Sequence, residues 1–265
     1  MLITIPLVDS FGNTINLEGY LSILEDSKDR TTNTKRNSLV IFVHGSGSSK
    51  ESSRNQYLAK KLNKNGIATF LFDLLTKEEK ESDKNVENIQ NQVPGLTLNK
   101  FNISLLSDRL IKATNYILKI PEVKRRCDDE VALNVGYFGA STGVAAALYA
   151  SGKIRETTSI KTIVSRGGRP DLISSISNYN KKIIENIKNI PLLFIIGQKD
   201  KLVLDLTKNF IKKNKPLNNS KIEIIKDASH LFEEEGTLEK AGDIAESGLF
   251  YIYKEKKGFV VVLVH

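Results

Sequence analysis

Val135-Gly136-Tyr137-Phe138-Gly139-Ala140-Ser141-Thr142-Gly143 is the stretch on which the reading of this chain turns. An apolar run, Val135 to Gly139, leads into it, and a small-residue segment with helical character, Thr142 to Ser151, leads out. The centre is G-x-S-x-G in a strand–turn–helix setting. A tight, strained turn there lifts the serine hydroxyl above the end of the sheet. Side chains at the two flanking positions would collide with the strand and the helix, which accounts for glycine at both 139 and 143. The start of the helix then aims its dipole and the Thr142 N–H at a developing oxyanion. Ser141 is therefore the candidate nucleophile.

The same alternation continues on either side. Ser38 to Val43, Ile67 to Asp73, Ile160 to Ser165, Pro191 to Gly197 and Lys221 to Ile225 are short apolar runs that read as strands. Amphipathic or helix-forming stretches separate them: Arg54 to Asn65, Phe101 to Leu118, Ser174 to Ile187 and Leu204 to Lys213, with a last one from Thr237 to Tyr253. Strands alternating with helices predict a mostly parallel central sheet of about eight strands with helices on both faces. Leu2 to Leu7 and Ile15 to Leu24 flank a turn at Asp9 to Asn13 and predict an antiparallel edge. The expectation is one α/β domain over residues 1–265. Residues 76–100 are polar and highly charged and read as a lid or an inert insert. Residues 255–265 are an apolar tail that fits either an edge strand or a disordered end.

A serine hydroxyl needs a general base at neutral pH. The chain has three histidines: His44, His230 and His265. In folds with this kind of elbow the partners follow the serine as acid, then histidine. His44 precedes the serine and His265 is the last residue, which leaves His230, in Asp227-Ala-Ser-His230 after the last strand. The acid belongs after the strand Pro191 to Gly197, where Gly197-Gln-Lys-Asp200 supplies Asp200. Asp205 is a rival at helical spacing that faces solvent, and Asp171 falls one strand too early.

His44-Gly45-Ser46-Gly47-Ser48-Ser49 follows a strand and reads as a loop that offers a backbone N–H to the nucleophile. The Ser46 and Thr142 amides are the two oxyanion donors. The loop fails both phosphate-cradle patterns: no G-x-x-x-x-G-K-[ST] occurs, and Lys50 stands where G-x-G-x-x-G needs its third glycine. Arg166 and Arg169 follow a strand end and fall on the rim where such sheets bind substrate. They read either as a clamp for a carboxylate or phosphate or, for example through Asp171, as internal ion pairs.

Composition narrows the class. The 265 residues carry 39 basic and 31 acidic side chains, 39 − 31 = +8. Lysines scattered among acids, few arginines and no tryptophan argue against a nucleic-acid partner. A lone cysteine, Cys127, excludes an intrachain disulfide and predicts a reducing, cytoplasmic setting. Met1 to Ser10 lacks the basic region and long apolar stretch of a signal peptide. No apolar run approaches the ~20 residues of a membrane span. Scattered histidines and one cysteine do not build a usual zinc site, so no metal is expected. Oligomeric state is not legible.

Several phrases, taken in order, resemble a known family: His44-Gly-Ser-Gly-Ser-Ser49, Asp73-Leu-Leu-Thr76, Gly136-Tyr-Phe-Gly-Ala-Ser-Thr-Gly143, Ser165-Arg-Gly-Gly-Arg-Pro-Asp171 and His230-Leu-Phe-Glu-Glu234. They look like the dienelactone-hydrolase-like α/β hydrolases, and within them the branch sometimes fused to a phosphoribosyltransferase domain. The resemblance runs from about Ile3 to Tyr253. It implies an α/β-hydrolase fold, a Ser-Asp-His triad and no cofactor. Dienelactone hydrolase itself uses a cysteine nucleophile, whereas this elbow holds Ser141. Lys50 and Glu51 stand where the branch tends to show arginine and histidine, and Ser53 and Glu235 where proline is usual. The expected activity is hydrolysis of a small-molecule carboxylic ester, lactone or thioester by Ser141, Asp200 and His230. The rival reading is a binding or scaffold protein on the same fold.

Overall fold

The structure, a computed structural model, describes residues 1–9, 11–23, 37–89, 98–126, 133–154, 160–176, 181–215, 217 and 219–254. Cys127, His265 and the 255–265 tail lie outside them. The strands are β1 (Leu2–Val8), β2 (Thr14–Ser22), β3 (Ser38–Val43), β4 (Ala68–Phe72), β5 (Asn134–Ala140), β6 (Ile160–Arg166), β7 (Leu192–Gly197) and β8 (Ser220–Ile225). The helices are α1 (Ser53–Lys64), α2 (Lys77–Ile89), α3 (Ile103–Ile117), α4 (Pro121–Lys124), α5 (Gly143–Lys153), α6 (Lys181–Ile187), α7 (Lys201–Lys213) and α8 (Thr237–Lys254).

All eight strands join one sheet in the order β1-β2-β4-β3-β5-β6-β7-β8. β2 runs antiparallel to both β1 and β4, and every other pairing is parallel. This is the α/β-hydrolase architecture with its antiparallel edge. Alternate residues of each central strand serve opposite faces. Leu39, Ile41 and Val43 join the core under α3, α5, α6 and α7, while Val40 and Phe42 join the core under α1 and α8. Burial on both faces is why β3 to β7 read as continuous apolar runs rather than alternating ones.

The strand that leads into Ser141 is among the most deeply set. β5 lies between β3 and β6, and Phe42 stacks on Phe138 with ring centroids 4.9 Å apart. α5 is buried from Gly143 to Gly152, so it cannot shift without disturbing the whole core. α1 is more ordinary. Ser52 caps it by accepting from the Asn55 N–H, and Asn55, Leu58, Ala59 and Leu62 form its buried stripe.

Within residues 76–100, read from sequence as a lid or an inert insert, Lys77–Ile89 is helical and Asn99–Phe101 forms a 3₁₀ turn. α2 starts on a capping box: the Thr76 N–H donates to Glu79 and the Glu79 N–H donates to the Thr76 hydroxyl. Its carboxylates then bond in two directions. Glu79 pairs with the buried Arg109, and Asp83 accepts from the Asn99 and Lys100 amides. Residues 90–97 lie outside the described set. One sequence reading needs correction, that of Ser174 to Ile187 as one helix. The structure has a 3₁₀ turn over Pro170–Ser175 and a separate α6, with 177–180 outside the described residues. Ser174 and Ser175 donate their hydroxyls to the Asp171 and Leu172 carbonyls. Serines that bond back to nearby backbone favour short turns over continued helix. Among the described residues no helix is long and apolar enough to cross a membrane.

Candidate active site

Ser141 occupies the turn between β5 and α5 with φ of +48°, in the left-handed region that a serine seldom adopts. Backbone strain of this kind costs on the order of 1–3 kcal/mol and persists only where surrounding structure enforces it. The enforcement is steric. A Cβ at Gly143 would stand 2.1 Å from the Val43 carbonyl oxygen, and one at Gly139 would stand 2.7 Å from the Val144 Cα. Backbone bonds close the turn: the Ser141 carbonyl accepts from the Val144 N–H at 3.3 Å and the Arg169 N–H at 3.0 Å.

His230 and Asp200 come from loops after β8 and β7. Their side chains meet at 2.6 Å, His230 Nδ1 to Asp200 Oδ2. An ionised carboxylate only accepts, so the Nδ1–H donates, and in a neutral ring Nε2 then carries the lone pair. Asp200 is 11% exposed and His230 41%, so the acid is sheltered and the imidazole reaches solvent. The His230 ring packs beside Gly167 in the loop after β6, and Arg169 in that same loop binds the Ser141 carbonyl. The three residues, far apart in sequence, thus all lie at the carboxyl ends of strands in one sheet, β5, β7 and β8. The Ser141 hydroxyl and the imidazole make no hydrogen bond to each other here; catalytic contacts are commonly long until substrate binds. Asp205, the rival acid, is exposed on α7.

Glu234 went unnoticed as a support for this loop. Its carboxylate accepts from the Ser229 N–H at 2.9 Å and the Ser229 hydroxyl at 3.2 Å, directly before His230. The Ser229 N–H and its own backbone hold its carboxyl down at about 2. It is the last residue of the phrase beginning at His230, the only sequence signal it had.

The loop after β3 lies against Ser141. A Cβ on Gly45 would stand 2.7 Å from the Ser141 Cβ, so glycine is required for the loop to approach this closely. Among the described residues neither the Ser46 nor the Thr142 backbone N–H has a protein acceptor.

The two arginines separate. Arg169 grips Asp171 with two parallel bonds of 2.8 Å, Nε to Oδ1 and Nη2 to Oδ2. The hydrogen bond to Asp171 raises its pKa further. Arg166 ends β6, and its side chain is buried. Its side chain turns into the face under α1, where Nη2 donates to Asn55 at 3.1 Å and the guanidinium lies 5.7 Å from the Phe232 ring centre. Burial, helped by the charge of Arg54, pulls its pKa down to about 10. The strand period explains the difference: Arg166 follows Val164 to the face under α1 and α8.

No protein-family model matches the chain. The dienelactone hydrolase of Anabaena variabilis ATCC 29413, a solved structure, is 33% identical, with 95% of this chain and 97% of that one covered and a TM-score of 0.71. This chain belongs to the dienelactone-hydrolase-like α/β-hydrolase family. Est1E from Butyrivibrio proteoclasticus has the same fold at 14% identity, TM-score 0.63, with 95% and 99% of the chains covered. Two curated Mycobacterium tuberculosis proteins, from strains CDC 1551 and H37Rv, are named as candidate phosphoribosyl transferases. Each is 38% identical over 217 residues, 81% of this chain and 41% of the relative, so the chain spans about two fifths of their length. This dienelactone-hydrolase-like chain thus shares a hydrolase fold with its structural relatives and carries serine at the elbow.

An anion clamp and a loop brace predict different results at Arg169. If the Asp171 pair only braces the loop that holds Ser141, Arg169→Ala lowers the melting temperature and slows hydrolysis of anionic and neutral esters by the same factor. A clamp instead would raise KM for carboxylate-bearing esters alone, by roughly 10- to 150-fold, the worth of a charge-assisted pair of about 1.5–3 kcal/mol. Brace behaviour is expected, because the guanidinium already has its carboxylate.

Proposed function

We propose that this chain is a serine hydrolase that cleaves a small-molecule carboxylic ester, lactone or thioester through an acyl-enzyme. The observation that supports it most is the sheltered 2.6 Å bond between Asp200 and His230, on the same rim as a serine held at positive φ. His230 Nε2 takes the Ser141 proton as Ser141 Oγ attacks the carbonyl carbon. The oxygen that gains the charge meets the Ser46 and Thr142 N–H groups, which have no other acceptor to give up. Collapse expels the alcohol or thiol, which leaves with the proton from His230. Water then gives a proton to His230, attacks the acyl carbon, and frees Ser141 and the acid. Asp200 holds the ring with Nδ1–H toward itself and balances the imidazolium while it lasts.

No cofactor enters this scheme, and neither a nucleic-acid nor a membrane partner is part of it. A cytoplasmic setting belongs to the same proposal, as does a single domain over 1–265. Within it the described parts of residues 76–100 serve as a docked buttress rather than a lid, because Glu79 ties α2 to Arg109 and Asp83 ties α2 to the Asn99 and Lys100 amides. Arg166 and Arg169 shape the site from behind and do not clamp substrate. The test is a panel of p-nitrophenyl esters of increasing acyl length with the purified protein, run beside labelling by a fluorophosphonate. Turnover on the panel with a single labelled serine supports the proposal. A protein that is inert to every ester and unlabelled is a scaffold and not a hydrolase.

A further inference from the structure

His44 has no place in the triad, yet it is buried and fully bonded at the end of β3, next to the oxyanion loop. Its Nε2 is 3.0 Å from the Leu74 backbone nitrogen, and its Nδ1 is 2.9 Å from the Gly45 carbonyl oxygen. The Leu74 N–H can only donate, so Nε2 must accept, and the proton of a neutral ring then sits on Nδ1 and points at Gly45. Burial disfavours the imidazolium and, with the charge of Lys80, outweighs the Gly45 bond and the charge of Asp73. Asp73 stands 3.9 Å from Nε2, and its own carboxylate is taken by Lys50 at 2.9 Å and Lys80 at 2.8 Å.

The Gly45 carbonyl is held twice. Besides His44 it accepts the Ser48 N–H at 3.1 Å, closing a turn whose Gly47 has φ of +85°. That fits a type II turn, with Ser46 and Gly47 as its central residues. The Gly45–Ser46 peptide is planar and trans, so its N–H points opposite to its C=O. Fixing the carbonyl toward the His44 ring therefore fixes the Ser46 N–H in the opposite direction. The other end of the loop is tied to the same short segment: the Lys50 N–H donates to Asp73 at 3.1 Å, one residue before Leu74.

We infer that His44 is a positioning residue, which in its Nδ1–H form sets the direction of the Ser46 oxyanion donor from an anchor at Asp73 and Leu74. The inference rests on the proposed oxyanion role of Ser46. It makes no use of His44 as a base, and it explains why a histidine rather than an apolar residue fills this buried position. An apolar side chain would leave the Leu74 N–H unpaired and leave the Gly45 carbonyl held by the Ser48 N–H alone, so that the Gly45–Ser46 peptide is less firmly fixed.

Two measurements test it. The first is independent of catalysis: nitrogen-15 NMR of the labelled protein at neutral pH is expected to show His44 with a protonated Nδ1 and a bare Nε2. An imidazolium, or a proton on Nε2, overturns the inference. The second compares His44→Leu with His44→Asn, which are close in size. Asn places an amide N–H near the position of Nδ1, and Leu places none. His44→Leu is expected to lower kcat on a p-nitrophenyl ester by about 10²-fold, the scale of losing one oxyanion donor. KM should change little, and His44→Asn should recover at least about tenfold of the loss. If both variants lose kcat equally and in step with melting temperature, His44 is merely structural. A wild-type protein with no ester turnover counts against the hydrolase proposal alone, and the nitrogen spectrum then decides the role of His44 by itself.

Discussion

Ser141→Ala eliminates fluorophosphonate labelling and lowers ester turnover by at least about 10⁴-fold, the scale seen when a serine nucleophile is removed from an intact triad. The expectation rests on the shape of the elbow. The turn that holds Ser141 is fixed by backbone contacts, the Gly139 and Gly143 approaches and the bonds to the Ser141 carbonyl. The hydroxyl itself makes no bond in the resting structure, so alanine removes the nucleophile without removing a support. Serine and alanine also bear a similar steric cost at positive φ. The melting temperature of the variant should stay within a few degrees of wild type. Residual activity near background is expected from the oxyanion donors alone. Labelling that persists in the alanine variant would place the nucleophile elsewhere and remove the mechanism.

The second large effect is at the acid. Asp200→Asn should lower kcat by on the order of 10³–10⁴ with little change in KM. The amide can donate to His230 Nδ1 where the carboxylate could only accept. That favours a proton on Nε2, the nitrogen that must be bare to take the serine proton. Asp200 caps no backbone group at the start of α7, so the variant should fold normally. Asp205→Asn, on the exposed face of the same helix, is the control and should change kcat less than about twofold. Equal losses at both positions would mean that α7 as a whole, and not the Asp200–His230 bond, is what the substitution disturbs.

These effects differ in kind from those expected around the site. Arg169 and Glu234 touch backbone or side chains beside the triad and brace the loops that carry it. Their loss acts through position, so it should reach stability and rate together. His44 and Asp73 stand between the two classes, because they fix a peptide plane rather than a side chain.

Ser141, Asp200 and His230 could be named as candidates from the sequence because local chemistry and chain order leave few choices. An elbow needs glycine on both sides of its serine, and with three histidines in the chain the base follows by order along it. The strands were legible for a related reason. A strand buried on both faces must be apolar throughout, and β3 and β5 to β7 show it within a residue or two at their ends. The helix α2 was missed because its sequence, rich in Glu and Lys, carries no apolar stripe. Its only local signal is the Thr76–Glu79 capping box, and its hold on the body is an ion pair to Arg109, thirty residues away in sequence. Local pattern could not choose between the two roles for Arg169, nor turn Arg166 inward, because partner and face are set by packing across the sheet. The same holds for His44. The sequence placed it at a loop and removed it from the triad, but only the approach of β4, bringing Leu74 and Asp73 against the loop after β3, gave the ring its two bonds. Residue type and order along the chain are local quantities, and they single out Ser141, His230 and Asp200 as candidates. Which groups hold them in place depends on contacts between strands distant in sequence, and the tertiary structure alone decided those.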